Sequence, residues 1–189
     1  VTDPVGSDAR DVPTLFVAVT ENVYDVPFER SAMVQLAADV TQTLQERGES
    51  VCTAESLTGG QLCVILTTAP GASESVRGGV VAYQTPVKHD VVGVPAHILE
   101  EHGAVSEQTA VALAECARQM FGATWALSTT GVAGPTTQEG KPVGTVFVAL
   151  AGPRAGVVSL QLEGDRDRIR EQTCAAAIAL LHKLAGIGA

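Results

Sequence analysis

From Ser31 onward, short aliphatic runs alternate with segments of helical period, and that alternation leaves few folds open to the chain. Met33, Leu36, Ala37, Val40 and Leu44 recur at helical spacing, and Gly48 closes their segment. Val51–Ala54 is strand-like. A helix is expected over Gly60–Thr68, stopped by Ala69-Pro70-Gly71. Gly78–Tyr83 reads as a buried strand. Two short helices follow, Thr85–Val91 and Pro95–Glu101, the first with Pro86 at an early position that tolerates proline. Ser106 is suited to cap a long helix reaching Phe121, and Thr124–Thr129 is the next strand. Gly144–Ala151 and Gly156–Leu162 flank Gly152-Pro153-Arg154-Ala155, the spacing of a hairpin, so one strand should run against its neighbours. A final helix spans Asp165–Leu184. The pattern predicts an α/β fold, a three-layer α/β/α sandwich around a mixed, mostly parallel sheet of about five strands.

Composition supports that class. Hydrophobic residues make up 46% of the 189, but aromatics only 4%, so the core must be built from Ala, Val, Leu and Gly. The length suits one domain. Residues 31–189 are expected to form it. Residues 1–30, rich in Asp, Pro and Gly, read as an irregular N-terminal extension whose only apolar run, Leu15–Val19, suits one short strand. A net charge of −9 argues against a nucleic-acid partner. The four cysteines lie far apart in apolar stretches without a C-x-x-C pair, as expected of reduced thiols in a cytoplasmic protein. No apolar run approaches the ~18 residues needed to span a bilayer, so no membrane role is expected. The N-terminus also lacks the pattern of a secretory signal.

Four segments carry groups capable of chemistry. The first is Ala54-Glu55-Ser56-Leu57-Thr58-Gly59-Gly60, at a strand-to-helix junction. Ser56 there suits a nucleophile or an anion site, and Ser56 or Thr58 equally suits a helix cap. No histidine is placed as a local base, and the Gly-x-Ser-x-Gly elbow is absent. The second is Tyr83 with Lys88 five residues on. A lysine in a half-dry pocket loses its proton near neutral pH and would serve as the base a serine needs, whereas a solvated lysine would not. The third is Ser128-Thr129-Thr130-Gly131-Val132-Ala133-Gly134-Pro135, whose small residues let a ligand approach the backbone. The fourth is Gly164-Asp165-Arg166-Asp167-Arg168. Asp165 would cap the last helix, and Arg166 would pair with a carboxylate or phosphate.

In this order and at these distances, the four segments resemble the C-terminal domain of the CinA competence/damage-inducible proteins. The stand-alone members of that family are nicotinamide mononucleotide deamidases. The likeness extends to His102-Gly103-Ala104-Val105-Ser106 and Lys141-Pro142-Val143-Gly144-Thr145-Val146, and covers about Met33 to Leu184. It implies a three-layer α/β/α hydrolase that converts nicotinamide mononucleotide to nicotinate mononucleotide and ammonia, without metal or organic cofactor. It also implies Ser56 as nucleophile, with Tyr83 and Lys88 completing the catalytic set. Backbone amides around Thr58, Gly59 and Gly60 are the expected oxyanion donors. Thr130, Gly131 and Arg166 are the expected phosphate contacts. Three departures stand out: Leu57 where cysteine is common, Gln84-Thr85-Pro86-Val87 ahead of the lysine, and Thr129-Thr130 where Ile-Ser or Thr-Ser is frequent. The alternatives are a non-catalytic binding or regulatory module of the same fold, or an amidase for another amide. Self-association into a homo-oligomer is a general expectation for a small α/β domain.

Overall fold

The structure, a computed structural model, describes residues 17–18 and 30–187. Of the expected N-terminal extension, the strand β1 (Val17–Ala18) and Arg30, which already belongs to the first helix, fall among them; the rest lies outside the described residues. The other elements in chain order are α1 (Arg30–Glu46), β2 (Val51–Glu55), α2 (Gln61–Thr67), a 3-10 turn (Ala72–Glu74), β3 (Val76–Val81), α3 (Thr85–Asp90), α4 (Ala96–His102), α5 (Glu107–Phe121), β4 (Trp125–Gly131), β5 (Thr145–Ala151), β6 (Gly156–Gln161) and α6 (Arg166–Leu184).

The strands form one sheet in the order β1-β6-β5-β4-β2-β3. Five of them are long, and β1 adds two residues at one edge. Only β5 runs antiparallel to its neighbours, paired with β4 on one side and β6 on the other. The β5–β6 hairpin is the one that Gly152-Pro153 announced. Gly152 packs its Cα against the Trp125 ring, where a Cβ would come within 2.4 Å of it. The mixed sheet therefore agrees with the sequence, including its single reversed strand.

Helices cover both faces. The first core cluster joins α1, α2 and α6 to the sheet through Met33, Val40, Leu44, Leu62, Leu66, Ile169, Ile178 and Leu181. The second lies beneath α3, α4 and α5 and uses smaller side chains, among them Cys52, Ala54, Ala112, Leu113, Ala117 and Ala126. Alanine on the inner face of α5 lets that helix lie close across the strands. Ser106 caps α5 by accepting from the Thr109 N–H at 3.1 Å, and Asp165 caps α6 by accepting from the Arg168 N–H at 2.9 Å. Among the described residues, no helix is long and apolar enough to cross a membrane. All four thiols are free.

One element departs from expectation. Gly78–Tyr83 reads as a buried strand, but β3 occupies Val76–Val81 at the sheet edge, with Arg77, Gly79 and Val81 exposed. Its register with β2 shifts after the Val51–Val76 pair, which starts the ladder earlier than the glycines suggest. The ladder stops where the Ala82 N–H reaches the Glu55 carbonyl at 2.8 Å, leaving Tyr83 beyond the strand.

Candidate active site

The parallel strands β2 and β4 are neighbours and end at the same edge of the sheet. Open α/β sheets place their ligand sites at this carboxyl-terminal edge. Ser56 is the first residue after β2, and its N–H donates to the Thr129 carbonyl at 3.0 Å, so it stands at the top of the sheet. A cavity of about 260 Å³ opens there, lined by Ser56, Leu57, Tyr83, Lys88, Thr130 and Arg166, by Ala104–Val105, and by residues of the loop after β4.

Lys88 enters this cavity from α3. Pro86 lies in the first turn of that helix, where its missing N–H costs no hydrogen bond, so the turn carrying Lys88 forms normally. The lysine is only 1% exposed. Its Nζ donates to Ser56 Oγ at 3.0 Å and to the Ala82 carbonyl at 2.6 Å. Burial pushes the ammonium down to about 8, and the negative charge of Glu139 opposes that shift. A lysine in this state is neutral in a useful fraction of molecules near pH 7 and already touches the hydroxyl it would deprotonate. No metal-like cluster of three His, Cys, Asp or Glu side chains occurs among the described residues.

Tyr83 lines the same cavity but is 58% exposed. Its hydroxyl accepts a long hydrogen bond of 3.4 Å from Arg166 Nη1. The structure thus pairs Tyr83 with Arg166 at the mouth, and not with Lys88 and Ser56 at the base. Arg166 also donates to the Gly134 carbonyl. Thr130 and Gly131 line the cavity as expected. Thr130 Oγ1 is committed to the Ala104 carbonyl at 2.6 Å, however, so its hydroxyl builds the wall. Gly131 leaves no room for a side chain, since a Cβ would come within 2.6 Å of the Thr145 carbonyl.

Thr58, Gly59 and Gly60 do not line the cavity, and two of their amides are already used. The Gly59 N–H donates to the Ser56 carbonyl at 3.1 Å, and the Gly60 N–H to Glu55 Oε2 at 2.9 Å. This correction has a physical cause: the turn needs those donors to hold its own shape. Both glycines have positive φ, +62° and +98°, which a tight return from strand to helix requires. Thr58 is fully buried, with its Oγ1 2.8 Å from Thr129 Oγ1. Neither Ser56 nor Thr58 caps α2.

The cap comes from Glu55, whose role sequence reasoning missed. Its carboxylate is buried and accepts from the Gly60, Leu62 and Cys63 amides at 2.9, 3.1 and 2.8 Å, and from Thr53 Oγ1 at 3.2 Å. A negative charge on the first amides of a helix satisfies donors that the helix cannot pair internally. The available signal was an acid closing an otherwise apolar strand. Arg170 was missed as well. It donates to the Thr58 carbonyl at 2.7 Å and passes over Gly59, where a Cβ would lie 3.0 Å from its Nη2. Its position four residues after Arg166, on the same helical face, was the sign.

Comparison with known proteins agrees with this architecture. Residues 33–185 match the sequence profile of the CinA C-terminal domain. A CinA-like protein of Anaeromyxobacter sp. (strain Fw109-5) is 48% identical over 179 residues, which cover 93% of this chain and 43% of that protein. A CinA-like protein of Frankia casuarinae is 49% identical over 146 residues, 76% of this chain and 34% of its own length. The chain thus spans less than half the length of these relatives. Among solved structures, the competence/damage inducible protein CihA of Agrobacterium tumefaciens superposes with a TM-score of 0.78 at 34% identity, covering 81% of this chain and 95% of that one. A CinA superfamily protein of Escherichia coli gives a TM-score of 0.79 at 27% identity, covering 86% and 97%.

Proposed function

The chain belongs to the CinA C-terminal domain family, and from that premise we propose that it is a serine amidase acting on nicotinamide mononucleotide. The products are nicotinate mononucleotide and ammonia. The observation that carries the reading is the 3.0 Å contact between Lys88 Nζ and Ser56 Oγ inside a cavity. A buried lysine of lowered basicity beside a serine hydroxyl is a nucleophile and its base.

In the proposed reaction, neutral Lys88 takes the Ser56 proton as Oγ attacks the carboxamide carbon. The developing oxyanion needs a fixed donor. The Leu57 N–H suits that role, because Leu57 lines the cavity next to the nucleophile and its amide has no hydrogen-bond partner among the described residues. Lys88 then returns the proton to the departing nitrogen, and ammonia leaves. Water, deprotonated by the same lysine, attacks the ester on Ser56; as the C–Oγ bond breaks, Lys88 returns the proton to Ser56 Oγ, and the freed acid ionises to the carboxylate. The Ala82 carbonyl holds Nζ in place throughout. Arg166 at the mouth, steadied by Gly134 and touching Tyr83, is the group for the phosphate. Tyr83 contributes at the mouth, beside the nucleotide.

The test is ammonia release by purified protein from nicotinamide mononucleotide, its riboside and free nicotinamide. The mononucleotide should be hydrolysed with the highest kcat/KM. Preference for the riboside or the free base would reassign the substrate, and no ammonia from any of them would leave a binding module.

A further inference from the structure

A second acidic side chain, Glu139, reaches the cavity wall from the loop between β4 and β5. Its Oε1 accepts from the Ala104 N–H and its Oε2 from the Val105 N–H, both at 3.0 Å. Ala104 and Val105 line the cavity with Ser56 and Lys88, and so do Thr136, Thr137 and Gln138 from the loop that carries Glu139. One carboxylate therefore joins two walls made by distant parts of the chain.

Both sides of this joint are built for it. Glu139 is the only non-glycine residue with positive φ among the described residues, at +52°, a conformation that L-residues hold only when their surroundings impose it. On the receiving side, a Cβ on Gly103 would come within 2.4 Å of Glu139 Oε2. The Gly103 carbonyl accepts from Thr109 Oγ1 at 2.6 Å and Ser106 Oγ at 3.2 Å, which braces that turn against α5. The loop tip is closed by reciprocal Gln138–Lys141 backbone bonds of 3.2 and 2.8 Å.

The carboxylate also bears on Lys88. The charged and titratable groups on the surrounding elements are Glu55 at the end of β2, Tyr83 after β3, and His89 and Asp90 on α3. Further such groups are Arg77 on β3, His97, Glu100, Glu101 and His102 on α4, Glu107 on α5, Arg166, Asp167, Arg168 and Arg170 on α6, and Glu139 and Lys141 on the loop. Of these, Glu139 is the one whose charge acts on the Lys88 ammonium, favouring its protonated form.

Resting on the serine–lysine amidase reading, we propose that Glu139 is a positioning residue for this site, fastening the β4–β5 loop as the substrate-facing wall and fixing its carboxylate behind Ala104 and Val105, on the wall of the cavity that Ser56 and Lys88 line. The two parts separate by substitution. Glu139→Gln removes the charge and sets an amide NH2 against a backbone N–H. Glu139→Asp keeps the charge on a side chain too short to span both amides.

The chain has three lysines, Lys88, Lys141 and Lys183, so lysine labelled with carbon-13 at Cε gives three resonances to titrate by NMR. Lys88→Met identifies the Lys88 signal. In Glu139→Gln that signal should titrate at lower pH than in the unaltered protein, the acid limb of kcat/KM should move with it, and KM should rise roughly tenfold, the fold-change of one lost charge-assisted hydrogen bond. In Glu139→Asp the Lys88 titration should stay, with KM raised. An unmoved Lys88 resonance in Glu139→Gln, or an unchanged KM in Glu139→Asp, overturns the proposal. The NMR titration needs no substrate. A shifted Lys88 signal in a protein that releases no ammonia would sink the amidase reading and leave the charge placement of Glu139 standing.

Discussion

Lys88 Nζ lies 3.0 Å from Ser56 Oγ and 2.6 Å from the Ala82 carbonyl, so one buried amine is fixed between the Ser56 hydroxyl and the strand exit that precedes its own helix. Two acceptors on a lysine that is 1% exposed hold it in one place without a carboxylate partner. Burial lowers its basicity, and the Glu139 charge opposes that shift only in part.

Ser56→Ala is expected to end ammonia release, with kcat/KM falling by at least roughly 10⁴-fold, because the nucleophile and its base act as a unit. The thermal midpoint should barely change, since the Ser56 backbone bond to Thr129 is retained. Turnover retained in this variant would rule out the serine as nucleophile.

The reaction should be faster in mild alkali. Lys88 must be neutral to act as a base, and burial brings it to about 8. Below that pH, kcat/KM should fall about tenfold per unit, and above it the profile should level off. A profile flat from pH 6 to 9 would show that some other group takes the proton. Lys88→Met should lose most activity across the whole range.

The same shift carries a stability consequence. Lys88 in the folded protein gives up its proton near 8, and in the unfolded chain near the ordinary lysine value of about 10.4. Between those values the unfolded state binds more protons, so this group's contribution to stability rises as pH increases through that window and is lost as pH falls through the folded value. The total change is on the order of 3 kcal/mol. Urea unfolding at pH 7.5 and 10 should therefore show a smaller gain with pH in Lys88→Met than in the unaltered protein. Equal gains in both would contradict the assignment.

Glu55→Gln should destabilise the fold by about 1–3 kcal/mol, since a buried carboxylate accepting three amides becomes a neutral group with a misplaced donor. Activity should fall too, because the Glu55 cap shapes the turn that begins at Ser56. Chemical denaturation and kcat on the same preparation test both. Full activity with reduced stability would separate the cap from the nucleophile's placement.

Much of this molecule is legible in its residues, for reasons of local physics. Period and punctuation mark the helices, Ser106 and Asp165 fulfil their capping roles, and Gly152-Pro153 foretells the reversed β5. Such features depend on neighbours a few residues apart, and so does the survival of α3 with Pro86 in its first turn. What tertiary structure alone decided is which polar groups meet. Gly59 and Gly60 look like part of a ligand loop in sequence, yet in space their N–H groups are taken within the turn, by the Ser56 carbonyl and the Glu55 carboxylate. Tyr83 follows a strand that reads as buried, but that strand is the sheet edge, which turns the ring outward to Arg166. Glu139 gave no sign in sequence, because its partners are 34 and 35 residues away and are backbone amides, which every residue but proline carries. A sequence names side chains. The pairing of a buried charge with a particular amide is set only when strand order and loop path bring the two within hydrogen-bond reach.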